Sequence, residues 1–247
     1  MKFICLYFIL FTTIVATAQP PLIHAHNDYE KPLPFTHAIQ HRVFSLEADV
    51  YLIGDSLRVA HDAGKAATAP TLNALYLQPI IALFAANNGS ISPDTGYSPI
   101  LMIDIKKEGE VVLAVLQKQL AAYPVVFDRS VNARAVQILI SGDRGPIENW
   151  KNYPPYILFD GRPYENYDSL SLGKVGFISD AYYNYVLGAG NMATRILQVA
   201  ARAHSQGKLL RLWATPDKPR SWDRMLKLGV DIINTDKIAA CRKHFLF

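Results

Sequence analysis

Short apolar runs recur along the chain at residues 21–26, 43–52, 99–106, 135–141, 156–160, 175–180, 209–215 and 230–235. Most are rich in Val, Ile, Leu, Phe or Tyr, and most stop at a polar residue or a glycine. Runs of this kind predict strands buried on both faces, which is the mark of a parallel sheet. Between them, residues 71–86, 109–122, 191–205 and 219–228 place apolar side chains three and four apart, the helical period. Gly207 and Gly229 follow two of these segments, where a helix end favours glycine. A short helix is expected at 33–41, and shorter turns at 148–152 and 166–170. Strand and helix alternating in this way predict an α/β chain folded as a (β/α)8 barrel, with an open doubly wound sheet as the alternative. There is no internal repeat, low-complexity tract or Pro/Ser-rich linker, so one domain is expected over residues 19–247.

The first three runs carry polar residues in pairs. Residues two apart on a strand point to one face. The runs hold His24-Ala25-His26, Glu47-Ala48-Asp49 and Asp104-Ile105-Lys106. A charge turned toward the helix layer would be buried and unpaired, which costs several kcal/mol, on the order of 3–5. All three pairs are therefore expected to face the lumen near the carboxyl ends of their strands, where barrel enzymes build their sites. After Asp49, "YLIGDSLRVAHD" predicts a turn at Gly54-Asp55-Ser56 and a short returning strand over 57–60, which would carry His61 back toward the acidic pair.

Taken singly, each of these residues has a structural explanation. A histidine at a strand end can be a satisfied core residue, His24 in particular, and Asp104 with Lys106 can be a plain ion pair. Taken together they describe a chemistry. Three clustered carboxylates repel one another unless a hard cation lies among them, and oxygen-only ligands favour Mg²⁺ or Ca²⁺. A lysine beside such a cluster suits a phosphate oxygen. Two histidines suit a proton taken from one oxygen and given to another. The set points to phosphodiester cleavage.

Composition narrows the picture. Half of the 247 residues are hydrophobic and 19% are charged, as in a globular protein with an ample core. Met1-Lys2, an apolar stretch over 3–15 and the small residues Ala16-Thr17-Ala18 predict a signal peptide cleaved after Ala18 and a secreted or periplasmic mature chain. The apolar stretch is shorter than the roughly 20 residues of a membrane-spanning helix. Cleavage removes Lys2 and Cys5, lowers the formal charge from +4 to +3, and leaves Cys241 as the sole cysteine. No internal disulfide or cysteine-based zinc site is then expected. The basic residues are scattered, which argues against nucleic acid as a partner, and no protein partner is indicated.

These residues resemble the glycerophosphodiester phosphodiesterase and phosphatidylinositol-phospholipase-C-like superfamily. The resemblance rests on His26 in "HAHNDY", Glu47 and Asp49 in "SLEADV", His61 and Asp62 in "RVAHD", Asp104 and Lys106 in "MIDIK", the closing "LGVDIINTDK", and "LRLWATPD" with Trp213. It runs from about residue 21 to 238 and rests on strand order alone between 107 and 205. His26-Asn27-Asp28-Tyr29 replaces the His-Arg-Gly of the classical glycerophosphodiesterases, and Asp104 stands where they usually carry Glu. Both features look more like the sphingomyelinase-D branch and the "HNDY" proteins related to the fungal altered-inheritance-of-mitochondria protein. The resemblance implies a (β/α)8 barrel, with one divalent cation, Ca²⁺ or Mg²⁺, on Glu47, Asp49 and Asp104. It implies catalysis by His26 and His61, the alignment favouring His26 over His24 as the first histidine. It implies phosphate or substrate contacts from Lys106, Asn27 and Trp213, and a supporting role for Asp62 and His24.

The implied substrate is a small phosphodiester or a phospholipid headgroup, with transient contact to a membrane surface. A sphingomyelinase-D-like lyase forming a cyclic phosphate and a non-catalytic phospho-ligand-binding barrel are the alternatives. Metal-free relatives put an arginine in place of the cation, and none occupies the paired positions of the first three runs. Arg144 and Arg162, after the fourth and fifth runs, are read as surface ion pairs or headgroup grips. Tyr182, Tyr183 and Tyr185 are read as pocket-lining, lipid-touching or packing residues.

Overall fold

The structure, a computed structural model, describes residues 20–245. The expected leader over 1–18 lies outside them. Among the described residues nine strands form: β1 (Leu22–Ala25), β2 (Ser45–Ile53), β3 (Ser56–Val59), β4 (Ile100–Ile105), β5 (Gln137–Gly142), β6 (Ile157–Gly161), β7 (Val175–Ala181), β8 (Leu210–Trp213) and β9 (Ile232–Thr235). β1 pairs in parallel with both β2 and β9, and the remaining strands follow in chain order, so eight parallel strands close a barrel. β3 stands outside it as an antiparallel partner of β2. The expected hairpin therefore forms, with its return strand beginning at Ser56.

Alternation along each strand sorts the side chains into two compartments. Ile23, Leu46, Ala48, Val50, Leu101 and Ile103 point outward into the large core beneath the helices. The opposite set faces the lumen. At its amino-terminal end Ile100, Met102, Leu139, Phe177 and Ile232 form a separate apolar plug. One residue pair further along each strand the lumen turns polar, with His24, Glu47, Asp160, Ser179, Arg211 and Asn234 all buried. The plug makes the barrel a packed cup open at its carboxyl end.

The helices expected at 109–122, 191–205 and 219–228 appear as Gly109–Ala121, Met192–Ser205 and Pro219–Lys227. Asn191 caps the second through its side chain, which accepts from the backbone of Ala193 and Thr194. Gly207 and Gly229 end two helices at φ 68° and 81°, the left-handed backbone that favours glycine. The segment at 71–86 begins with a wider π turn, Asn73–Leu77, before the regular helix Gln78–Ala86. The turn expected at 166–170 is instead a helix at Ser169–Lys174, because Asp168 caps it by accepting from Ser171 N. The closing helix Ile238–Phe245 was not signalled by the pattern. Among the described residues no helix is long and apolar enough to cross a membrane.

Candidate active site

The acidic triad is a product of strand register. β2 and β4 are neighbours, and Asp49 is the register partner of Asp104. Glu47 lies one lumen position below Asp49. Each of the three offers an oxygen, and those oxygens lie within 4.8 Å of one another. Lys106 reaches back to this cluster, with Nζ 2.6 Å from Asp49 Oδ2 and 3.3 Å from Asp104 Oδ1. Burial raises the Asp104 carboxyl to about 6, the Lys106 charge opposes that rise, and the charges of Glu47 and Asp49 add to it. Asp49 Oδ2 is heavily used, accepting from Lys106, from Tyr29 Oη at 2.7 Å and from His61 Nδ1 at 3.1 Å. Its other oxygen, Oδ1, is buried and has no hydrogen-bond partner among the described residues. An all-oxygen donor set with one buried oxygen unpartnered fits a hard divalent cation.

Gly142 keeps this cluster in place. It follows Ser141, the register partner of Asp104, and adopts φ 70°. A Cβ there would run into the Ile105 carbonyl and stand 2.5 Å from Asp104 Oδ1.

Three histidines surround the triad in different ways. His24 is completely buried, with Nε2 2.9 Å from Glu47 Oε2 and Nδ1 2.8 Å from Ser45 Oγ. Burial first, and Arg211 second, lower its pKa to about 4, so the ring is neutral at pH 7. Its Nε2–H then donates to Glu47, and Nδ1 accepts from the Ser45 hydroxyl. Burial alone would raise Glu47, but the His24 hydrogen bond and the Arg211 charge outweigh it and hold the carboxyl at about 2. His24 is thus a second layer that positions Glu47.

His26 and His61 both line the cavity with the triad. His26 extends the β1 ladder, its N–H donating to Thr235 O, and its Nδ1 lies 3.3 Å from Asp236 Oδ1. Burial works against its protonation, but the hydrogen bond to Asp236 and the charges of Glu47 and Asp236 raise its pKa above 6.5. His61, carried over the mouth by the hairpin, anchors Nδ1 on Asp49. Asn27 also lines the cavity; it turns the chain off the strand at φ 46°, and its Oδ1 lies 3.2 Å from Tyr29 Oη.

Asp62 departs from expectation. It heads a short helix, is exposed, and pairs with Lys65 at 3.2 Å, so it supports neither the triad nor His61. Tyr29 and Asp236 belong to the site although the spacing of polar residues along the first three runs does not single them out. Asp236 continues the lumen alternation one position beyond β9, and that period was the available signal. Asp28 clamps the loop that follows β1, accepting from Phe35 N at 2.6 Å and Tyr76 Oη at 2.9 Å.

The wall opposite the triad carries two arginines. Arg162, read from the sequence as a surface ion pair or a headgroup grip, turns into the lumen, with a side chain 11% exposed and Nη1 2.8 Å from Asp160 Oδ2. Arg211 lies deeper, donating to Ser179, Asn234 and Asp160, with Nη1 3.9 Å from Glu47 Oε2. The paired positions of the first three strands indeed lack arginine, but β8 delivers one from across the barrel. Trp213 lines the cavity under both guanidinium groups, at 5.0 Å and 5.8 Å from its ring centre. Arg144 is taken up by Glu165 and stacks over Trp150. Tyr185 donates to Asp180, Tyr182 to Met192 Sδ, and Tyr183 is exposed. None of these four lines the cavity.

The cavity measures about 270 Å³. A larger groove of about 820 Å³ lies at the other end of the barrel, beside Leu22, Phe44 and Arg242, and contains none of the triad residues.

Comparison with known proteins agrees with the barrel fold. Residues 12–142 match the AIM6-like phosphodiesterase domain, and residues 210–239 match the glycerophosphoryl diester phosphodiesterase family. The altered inheritance of mitochondria protein 6 homolog of Arthroderma benhamiae is 26% identical, covering 95% of this chain and 87% of its own. The corresponding protein of Lachancea thermotolerans is 25% identical over 88% of this chain and 64% of its own. Among solved structures, a glycerophosphodiester phosphodiesterase from Parabacteroides distasonis shares the fold with a TM-score of 0.60 at 15% identity, covering 90% of this chain and 95% of that one. One from Agrobacterium tumefaciens gives 0.55 at 15% identity, over 90% and 99%. With residues 12–142, more than half its length, matched, this chain belongs to the AIM6-like phosphodiesterase domain family.

Proposed function

We propose that this protein is a metal-dependent phosphodiesterase acting on small glycerophosphodiesters or phospholipid headgroups. The observation that carries the reading is one cavity lined by His26, His61, Glu47, Asp49, Asp104 and Lys106. Glu47, Asp49 and Asp104 would hold one cation, Ca²⁺ or Mg²⁺ by the chemistry of the donors. When bound, that cation neutralises charge developing on the phosphoryl oxygens. Lys106 Nζ donates to a non-bridging oxygen and adds a second positive charge.

The histidines divide the proton transfers. His26, with its raised pKa and its Nδ1 on Asp236, carries a proton at Nε2 and gives it to the leaving oxygen. His61, with Nδ1 on Asp49, takes a proton at Nε2 from the attacking hydroxyl. That hydroxyl belongs to water in hydrolysis, or to the substrate itself in the cyclising alternative. The leader-like residues 1–18 support export of the mature chain, which N-terminal sequencing of the exported protein would test.

The test is turnover of glycerophosphocholine and glycerophosphoinositol by the mature protein, followed by phosphorus NMR, with Ca²⁺ or Mg²⁺ and with chelator. Metal-dependent turnover is expected, and a cyclic phosphate product marks the lyase branch. His26→Ala and His61→Ala should each lose about 10²–10⁴-fold in rate. Undiminished turnover in either variant would overturn the assignment.

A further inference from the structure

The cavity has two walls of opposite charge. β2 and β4 supply the acidic triad, and β6 and β8 supply Arg162 and Arg211. The arginine wall is short of counter-charge. Asp160, fully buried, is shared by both guanidinium groups, at 2.8 Å from Arg162 Nη1 and 3.3 Å from Arg211 Nη2. The next carboxylate, Glu165, is taken in a two-pronged pair by Arg144, at 3.1 Å and 2.6 Å, and also accepts from Tyr167. Arg211 also donates from Nε to Ser179 and from Nη1 to Asn234, and approaches Glu47 only to 3.9 Å. Arg162 is committed on one side of its fork and lightly used on the other. Its Nη1 holds Asp160 and the carbonyls of Asp160 and Gly161, while among the described residues its Nη2 has only Ser141 Oγ, at 3.4 Å.

The aromatic surface of the cavity is already covered. Trp213 carries the Arg162 guanidinium 5.0 Å from its ring centre, and Arg211 at 5.8 Å. A quaternary ammonium is recognised by an open aromatic face. Here that face is occupied by cations that would repel it. A guanidinium fork with a free edge is instead matched to carboxylate and phosphate oxygens.

We infer that Arg162, backed by Arg211 and Trp213, forms a second anion subsite, and that the substrate is a phosphodiester whose headgroup carries a further phosphomonoester or carboxylate. This rests on the phosphodiesterase reading and narrows its substrate class. Choline esters are disfavoured by the same wall. The scissile phosphate lies against the triad and Lys106, and the second anion lies across the cavity against Arg162.

A matched pair of probes tests this: glycerophosphoinositol and its ring-phosphorylated form glycerophosphoinositol 4-phosphate, with glycerophosphoserine as the carboxylate probe and glycerophosphocholine as the cationic control. The phosphorylated or carboxylated headgroup should show at least about tenfold higher kcat/KM than glycerophosphoinositol or glycerophosphocholine, the weight of one charge-assisted hydrogen bond. Arg162→Gln should bring that ratio toward one, and Arg162→Lys, which keeps the charge but loses the fork, should retain only part of it. Equal use of the matched pair by the wild-type protein overturns the proposal, whatever the variants do. So does a preference that persists in Arg162→Gln, or an equal loss on every ester, which would place Arg162 on the scissile phosphate. If no ester is cleaved, the phosphodiesterase reading fails by itself. Titration calorimetry of the Mg²⁺-loaded wild type with the same probes then reads the subsite directly: tighter binding of the doubly anionic ligands supports it, and equal or absent binding overturns it.

Discussion

Asp236→Asn removes the charge facing His26 and keeps the shape of the side chain. The two Nδ1–oxygen distances are 3.3 Å and 3.4 Å, long for a strong hydrogen bond. The His26 hydrogen bond is the largest cause that takes the Asp236 carboxyl from 3.8 to about 2; burial opposes the fall and Lys31 adds to it. At face value that fall is about 2.5 kcal/mol. It is shared with Lys31, and the side chains are 29% and 47% exposed, so solvent screening brings the His26–Asp236 share to about 0.5–1 kcal/mol. The variant should therefore lower the His26 pKa, because it removes the charge and the acceptor that raise it. A histidine raised above 6.5 contributes stability that is complete below 6.5 and is lost as pH rises through its folded pKa. A depressed aspartate contributes stability above 3.8 that is lost as pH falls toward 2. The melting-temperature gap between wild type and Asp236→Asn should thus be widest between pH 3.8 and 6.5, close as pH falls toward 2, and narrow as pH rises through the His26 pKa to the part that Lys31 keeps. Titration of the His26 ring by NMR, with melting scans across the same range, measures both quantities. An unchanged or higher His26 pKa in the variant, or a gap that ignores pH, would refute the pairing.

Other perturbations follow from the same geometry. Ca²⁺ or Mg²⁺ at a hundred times its dissociation constant should stabilise the wild type by about 2.7 kcal/mol, and Asp49→Asn, which removes the orphaned oxygen, should abolish that shift in thermal melts. Gly142→Ala forces a Cβ onto Ile105 O and Asp104 in a left-handed backbone, so urea unfolding should show a loss of about 1–3 kcal/mol, and cation stabilisation should weaken with it. His24→Leu keeps the bulk but strips Glu47 of its 2.9 Å donor; a loss of about 2–4 kcal/mol in urea unfolding is expected, and a loss under 0.5 kcal/mol would show that Glu47 is not held by His24.

The barrel was readable because its two periods are clean. Leu46, Ala48 and Val50 alternate with Ser45, Glu47 and Asp49, and the same alternation runs through β4 as Leu101, Ile103 and Ile105 against Met102, Asp104 and Lys106. Helix signals were strong where a cap and a periodic face coincided, as at Asn191. They failed where a local bond moved the boundary, as when Asp168 captured Ser171. The closing helix Ile238–Phe245 is short and carries Arg242, Lys243 and His244 in its last turn, so its apolar face, Ile238 and Cys241, is too brief for period alone to reveal.

The site divides along a similar line. Its triad and Lys106 come from neighbouring strands whose polar residues stand out against apolar runs, so local spacing exposed them. The arginine wall does not stand out, because its charges make sense only as a set. Asp160 next to Gly161 and Arg162 reads as a turn with an exposed ion pair until Arg211, about fifty residues away, supplies the second cation that explains a buried carboxylate. Likewise Asp236 has no visible purpose until β9 closes on β1. That seam is where fold and chemistry meet: His26 N–H bonds Thr235 O, and the adjacent Asp236 takes His26 Nδ1 across 210 positions of sequence. His26 is thereby tuned by the strand that closes the barrel, and its raised pKa is a property of the closed sheet that no segment of the chain possesses alone.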